Sequence, residues 1–152
     1  GDDLFRALFE CIHLAGTAAM NTPSLHHGVL LFAHGSRDPL WHRPFDTLAQ
    51  RIRAASPDTA VACAYLELST PDLPTAAQAM IAQGVRHIRI VPLFLGMGKH
   101  AREDLPRIAQ ALCAQHPGVT FELNPAVGEH PLLLETLCTI ALQGKTVNGE
   151  AP

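Results

Sequence analysis

Two histidines open the chemistry of this sequence: His34, closing an apolar run, and His100, which follows Gly96-Met97-Gly98-Lys99. A neutral imidazole is a ligand for borderline divalent ions such as cobalt, nickel, iron or zinc. Glu67, at the end of a second apolar run, supplies a carboxylate, and Glu129 and His130 follow a later one. Two imidazoles with one carboxylate hold an ion by few ligands and leave positions open for exchange, unlike a closed four-cysteine cage. Around them stand Ser36, Arg37, Arg43, Lys99 and Arg102, a set of donors and cations suited to an anionic ligand. His26, His27, His42, His87 and His116 follow no such pattern and read as surface or helix-end residues, although the pair His26-His27 could take up metal adventitiously.

These residues act together only if the elements between them bring their loops to one place. Gly28 to His34 (GVLLFAH) is a short continuous apolar run of the kind buried on both faces of a parallel sheet. Gly35 and Ser36 break it, and a helix follows from Trp41 to Ala55 with Phe45, Leu48, Ala49 and Ile52 on one stripe. Thr59 to Leu66 is the second strand, closed by Glu67 and Leu68. The next helix is expected to use Thr70 as its cap, Pro71 at its first position and Asp72 in its first turn, and to stop at Gly84. His87 to Leu95 is a third strand in which Pro92, lacking a ladder donor, predicts an irregularity near the end. A helix from Arg102 to Gln115 presents Leu105, Ile108, Ala109 and Leu112; Val119 to Leu123 is the fourth strand, and Leu132 to Leu142 the last helix.

Four strands, each followed by a helix, predict an α/β fold: a parallel four-stranded sheet in the order 2-1-3-4, with helices on both faces. In that order the connections after strands 1 and 3 run opposite ways, and a crevice opens at the carboxyl ends of those two strands. His34 and His100 fall in the loops on that crevice, Glu67 on the same rim. So small a sheet leaves an exposed edge, which a second copy of the chain would cover.

Composition narrows the remaining classes. Eleven Lys and Arg against fourteen Asp and Glu leave a net charge of -3, with no basic field for a nucleic-acid backbone. No stretch reaches the 18 or so apolar residues that a membrane span needs. Cys11, Cys63, Cys113 and Cys138 lack zinc or iron-sulfur spacing and sit in apolar segments, which fits a reducing cytoplasm. The segment His34 to Pro39 (HGSRDP) has neither the dinucleotide nor the phosphate-loop glycine pattern, and no G-x-S-x-G elbow occurs, which disfavours a nucleotide enzyme or a serine hydrolase. The organisation expected is an extension over residues 1–25, one domain over 26–143 and a flexible tail over 144–152. Met20 offers an alternative start that would leave residues 1–19 outside the natural chain.

The combination of His34-Gly35-Ser36-Arg37-Asp38-Pro39, Ala64-Tyr65-Leu66-Glu67-Leu68 with Pro71-Asp72-Leu73, Val91-Pro92-Leu93-Phe94-Leu95 with Gly98-Lys99-His100, Glu103-Asp104-Leu105-Pro106, and Gly128-Glu129-His130-Pro131 resembles the small single-domain sirohydrochlorin chelatases of the class II chelatase superfamily. The resemblance spans about residues 28 to 142 and implies a flavodoxin-like sheet and a homodimer. It implies His34 and His100 as metal ligands, and a divalent ion (cobalt first, iron or nickel otherwise) as a substrate, with no organic cofactor. The ion enters sirohydrochlorin for cobalamin, siroheme or F430 synthesis. It gives His34, His100 or Glu67 the part of base for the pyrrolic protons, and Ser36, Arg37, Lys99 and Arg102 the ring carboxylates to bind, with Leu95 and Met97 against the ring's apolar face. The segment Gly96-Met97-Gly98 departs from what relatives often carry there, which leaves the substrate preference open. A carrier of metal or tetrapyrrole without insertion chemistry, or a scaffold for assembly or regulation, would use the same fold.

Overall fold

The computed structural model describes residues 25–147; the proposed start at Met20 and nearly all of the expected extension lie outside them. Four parallel strands, β1 (His27–Ala33), β2 (Thr59–Tyr65), β3 (His87–Pro92) and β4 (Thr120–Leu123), form one sheet in the order β2-β1-β3-β4. The helices are α1 (Arg43–Ala55), α2 (Leu73–Ala82), α3 (Lys99–Gln115) and α4 (Pro131–Leu142), with 3-10 turns at Pro39–His42 and Val127–Glu129. The fold class and strand order are those expected from the alternation of elements.

Register levels the rim. Ala33 pairs with Tyr65 and Phe32 with Pro92, so the chain leaves β1, β2 and β3 at nearly the same height. The two faces carry different loads. Leu30 and Phe32 of β1, Ile88 and Ile90 of β3, and Phe121 of β4 pack against Leu73, Ala77 and Met80 of α2 and Leu105, Ala109 and Leu112 of α3. On the opposite face only Leu31, Ala49 and Val61 form the buried cluster, with α1 above it. Gly28 lets α2 come close: a β-carbon there would press on the Met80 sulfur.

Three expectations about element ends change. Thr70 is not the cap of α2: Asp72 is, its Oδ1 accepting the Thr75 N–H at 2.9 Å, and Pro74 takes the early helical position foreseen for Pro71. An anionic carboxylate is the better partner for the orphan N–H groups and the positive end of the helix dipole. Pro71 instead follows a cis bond, and its carbonyl accepts the Tyr65 N–H at 2.9 Å. Helix α3 starts at Lys99, with Gly98 as its cap, rather than at Arg102, so Lys99 and His100 belong to its first turn. Strand β3 ends on Pro92, not Leu95. The ladder toward β1 survives one step further, Leu93 N–H to the Phe32 carbonyl at 2.7 Å. The donor that Pro92 lacks falls on the other side, where β4 has already ended at Leu123, opposite Ile90.

Candidate functional site

The rim is tied together by backbone bonds that cross from loop to loop. Glu67 N–H donates to the His34 carbonyl at 3.0 Å, and Leu66 N–H to the Ala33 carbonyl at 2.9 Å. Gly35 has φ +99, and a β-carbon there would collide with the Glu67 carbonyl, so only glycine allows this approach. On the other flank, Gly128 N–H donates to the Phe94 carbonyl at 2.9 Å, and a β-carbon on Gly128 would strike the Leu95 backbone. The loops after β1, β2, β3 and β4 thus form one stitched surface. The exposed His34 ring stands edge-on to Phe94, ring centroids 4.7 Å apart.

A side-chain network underlies the first loop. Ser69 Oγ accepts the Ser36 N–H at 3.0 Å and donates to the Ser36 carbonyl at 2.8 Å. His42 lies with Nε2 3.1 Å from the same carbonyl and Nδ1 3.2 Å from the Tyr65 hydroxyl. Burial, and behind it the neighbouring Cys63 thiol and then the Asp46 carboxylate, push the Tyr65 hydroxyl up to about 12, which keeps it a donor. Burial likewise raises the Cys63 thiol. Asp38 Oδ1 accepts the Leu40 N–H at 2.9 Å and starts the 3-10 turn that carries His42.

The expected site residues share this end of the sheet but not one contact cluster. His34 sits one residue past β1, and Glu67, exposed, stands beside it through the backbone bond. His100 is exposed in the first turn of α3. Among the described residues, no three His, Cys, Asp or Glu side chains converge as a metal cage. Ser36 Oγ accepts the Asp38 N–H at 3.1 Å, which leaves its proton for a further acceptor. Arg37 and Arg102 are exposed and have no carboxylate partner among the described residues. Lys99 leans toward Glu103 at 3.9 Å, an exposed i,i+4 pair of little strength. Met97 is half-buried and packs against the main core, while Leu95 is 68% exposed. His130 caps α4, its Nδ1 accepting the Leu132 N–H.

His42 does stand at a helix end, as one of the two alternatives had it, but it is half-buried in the network, and sequence reading missed that part together with Ser69, Tyr65 and Phe94. The helix expected from Trp41 begins at Arg43, after a 3-10 turn over Pro39–His42, and nothing local in the sequence says that the last residue of this turn folds back on Ser36. A cavity of about 490 Å³ lies elsewhere, along the first half of the edge strand β2, between Arg53 of α1 and Met80 of α2. Arg53 also covers this edge by donating to the Val61 carbonyl at 2.7 Å.

The family described as CbiX matches residues 28–141. The sirohydrochlorin cobaltochelatase of Methanothermobacter thermautotrophicus is 37% identical over 81 residues, 53% of this chain and 56% of the relative. The sirohydrochlorin cobaltochelatase of Methanococcoides burtonii is 33% identical over 124 residues, 76% of this chain and 95% of the relative. The matched stretches thus range from little more than half of one relative to nearly the whole of the other. A crystal structure of a cobalamin (vitamin B12) biosynthesis CbiX protein from Marinobacter aquaeolei superposes with a TM-score of 0.65 at 36% identity, covering 76% of this chain and 94% of that one.

Proposed function

Since the chain belongs to the CbiX family, we propose that it inserts a divalent metal ion, cobalt in the first place, into sirohydrochlorin, with His34 and His100 as the ligands that hand the ion over. One observation carries this reading: the His34 loop, the Glu67 turn and the connection leading to His100 are joined at one end of the sheet, with the His34 ring braced by Phe94. The similarity to relatives named cobaltochelatases supports cobalt, and imidazole donors accept iron and nickel as well.

The reaction exchanges two pyrrolic protons of the macrocycle for the ion. Few protein ligands suit it, because the ion must leave the protein as the ring nitrogens take over. His34, His100 or the exposed Glu67 accepts the protons, each requiring only a position near the ring. Sirohydrochlorin carries eight carboxylates. Arg37 and Arg102 can fork onto them, Lys99 can meet them once it leaves Glu103, and the free proton of Ser36 Oγ can donate to one. Leu95 offers an apolar contact for the ring, with less from the half-buried Met97.

The protein works in the cytoplasm and as a homodimer on this reading. Cys63 and Cys138 are free thiols, and no helix among the described residues is long and apolar enough to cross a membrane. The dimer is supported by α4, which buries none of its residues and leaves Leu132, Leu134, Ile140 and Leu142 exposed.

Anaerobic absorbance of sirohydrochlorin with Co²⁺, Fe²⁺ or Ni²⁺ tests the reaction, with a protein-free control for unaided insertion. The expected result is faster conversion with the protein, and a loss of at least about 100-fold in that acceleration for the His34→Ala, His100→Ala double variant. Binding of the tetrapyrrole with conversion at the control rate for all three metals would sink the chelatase reading in favour of a carrier.

A further inference from the structure

The His34 side chain makes no hydrogen bond among the described residues; only its backbone and the Phe94 ring direct it. Whatever fixes residues 34–36 therefore fixes the imidazole. The Ser36 carbonyl is the point where that loop is held from below, by Ser69 Oγ at 2.8 Å and His42 Nε2 at 3.1 Å. A carbonyl can only accept, so His42 carries its proton on Nε2, and Nδ1 is then the acceptor for the Tyr65 hydroxyl. The one proton of Ser69 Oγ is committed to Ser36, so the His42 N–H, 3.3 Å from that oxygen, also leans on it as a donor. Both ring nitrogens are thus in use. The ring itself stands edge-on between Trp41 and Tyr65, at 87° and 81°, which leaves it little room to turn.

We propose that His42 is a positioning residue for His34: by holding the Ser36 carbonyl against the Ser69 turn, it fixes the direction in which the His34 imidazole is presented. This rests on the reading of His34 as a metal ligand only for its consequence in turnover; the geometric claim stands apart from it. A hydrogen-bonded support for a ligand acts through orientation, and losing such a support costs on the order of 10 to 100-fold in metal affinity or activity.

Two variants and two measurements decide it. His42→Leu keeps bulk in the pocket and removes both nitrogens, whereas His42→Gln returns an amide N–H near the place of Nε2. H42L should lower kcat for cobalt insertion by about 10 to 100-fold with the KM for sirohydrochlorin unchanged, and H42Q should recover most of the rate. In NMR spectra of the metal-free protein, the His34 ring protons carry the shift imposed by the Phe94 ring; H42L should collapse that shift and H42Q restore it. Unmoved His34 resonances in H42L overturn the proposal, as does a lowered Tm with kcat per folded molecule intact. If the wild-type protein accelerates no insertion at all, the chelatase reading falls, and the His34 resonances alone then uphold or overturn the positioning role.

Discussion

At the scale of single residues, the site depends on one glycine for a reason that a second glycine isolates. Gly35 and Gly84 both have φ +99. Around Gly84 there is open space, while at Gly35 a β-carbon would run into the Glu67 carbonyl. Gly84→Ala therefore meets only the backbone penalty of a left-handed conformation, about 1 kcal/mol. Gly35→Ala meets that penalty and must also push the Glu67 turn away from the His34 loop. Urea midpoints should show Gly35→Ala clearly the more destabilised of the two, and equal losses would mean that the loop gives way without cost. Gly84 was legible in the sequence as a helix stop, because the requirement is local. The special role of Gly35 was not, since the atom that demands it arrives from the turn after β2. The same holds for His42, whose partners Ser36, Ser69 and Tyr65 are gathered only by the register of β1 with β2.

At the scale of elements, apolar run lengths and turn residues were enough to place four strands, four helices and the strand order, because each element signals its own buried face. The ends were read less well, because caps are chosen by competition between neighbours. Asp72 won over Thr70, and the choice has a measurable acid signature. Hydrogen bonding from Thr75, through its hydroxyl and its backbone N–H, holds the Asp72 carboxyl below its ordinary 3.8. A carboxyl lowered in the folded state stabilises it fully above the ordinary value, and that contribution disappears as the pH falls through the lowered one. Asp72→Ala should cost about 1 kcal/mol at neutral pH. The gap between the variant and the wild type should shrink as denaturation is followed below 3.8. A gap that stays constant into acid would assign the loss to something other than the ionised cap. The start of α3 has the larger functional meaning: beginning at Lys99, it carries His100 on a helical turn rather than in a loose loop, so the two proposed ligands differ in how they are held.

At the scale of the whole molecule, the two faces of the sheet are unequal, and α4 is where the inequality becomes a prediction. The face under α2 and α3 is filled by large buried side chains, whereas the other has Leu31, Ala49 and Val61 under α1, with Val91 and Leu93 only half covered. The doubly wound pattern leads one to expect α4 to finish that second layer. Instead it packs by the 3-10 turn that leads into it and leaves Leu134 52% and Ile140 57% exposed. Apolar area of this kind is stabilising only when removed from water, at about 25 cal/mol per Å². A helix that buries none of its residues fully and a sheet face without a full cover occur on the same chain, so a second copy can meet both needs through one two-fold interface. Leu134→Glu with Ile140→Glu should convert a dimer to a monomer in light scattering, and leave the fold of the monomer intact because neither side chain belongs to a core cluster. If the wild-type chain is monomeric at concentrations well above those of the assay, α4 does not serve a second copy and the homodimer is withdrawn. If the double variant is monomeric and still inserts metal at the wild-type rate, each rim is complete in itself, and the dimer serves stability rather than the exchange of metal for protons.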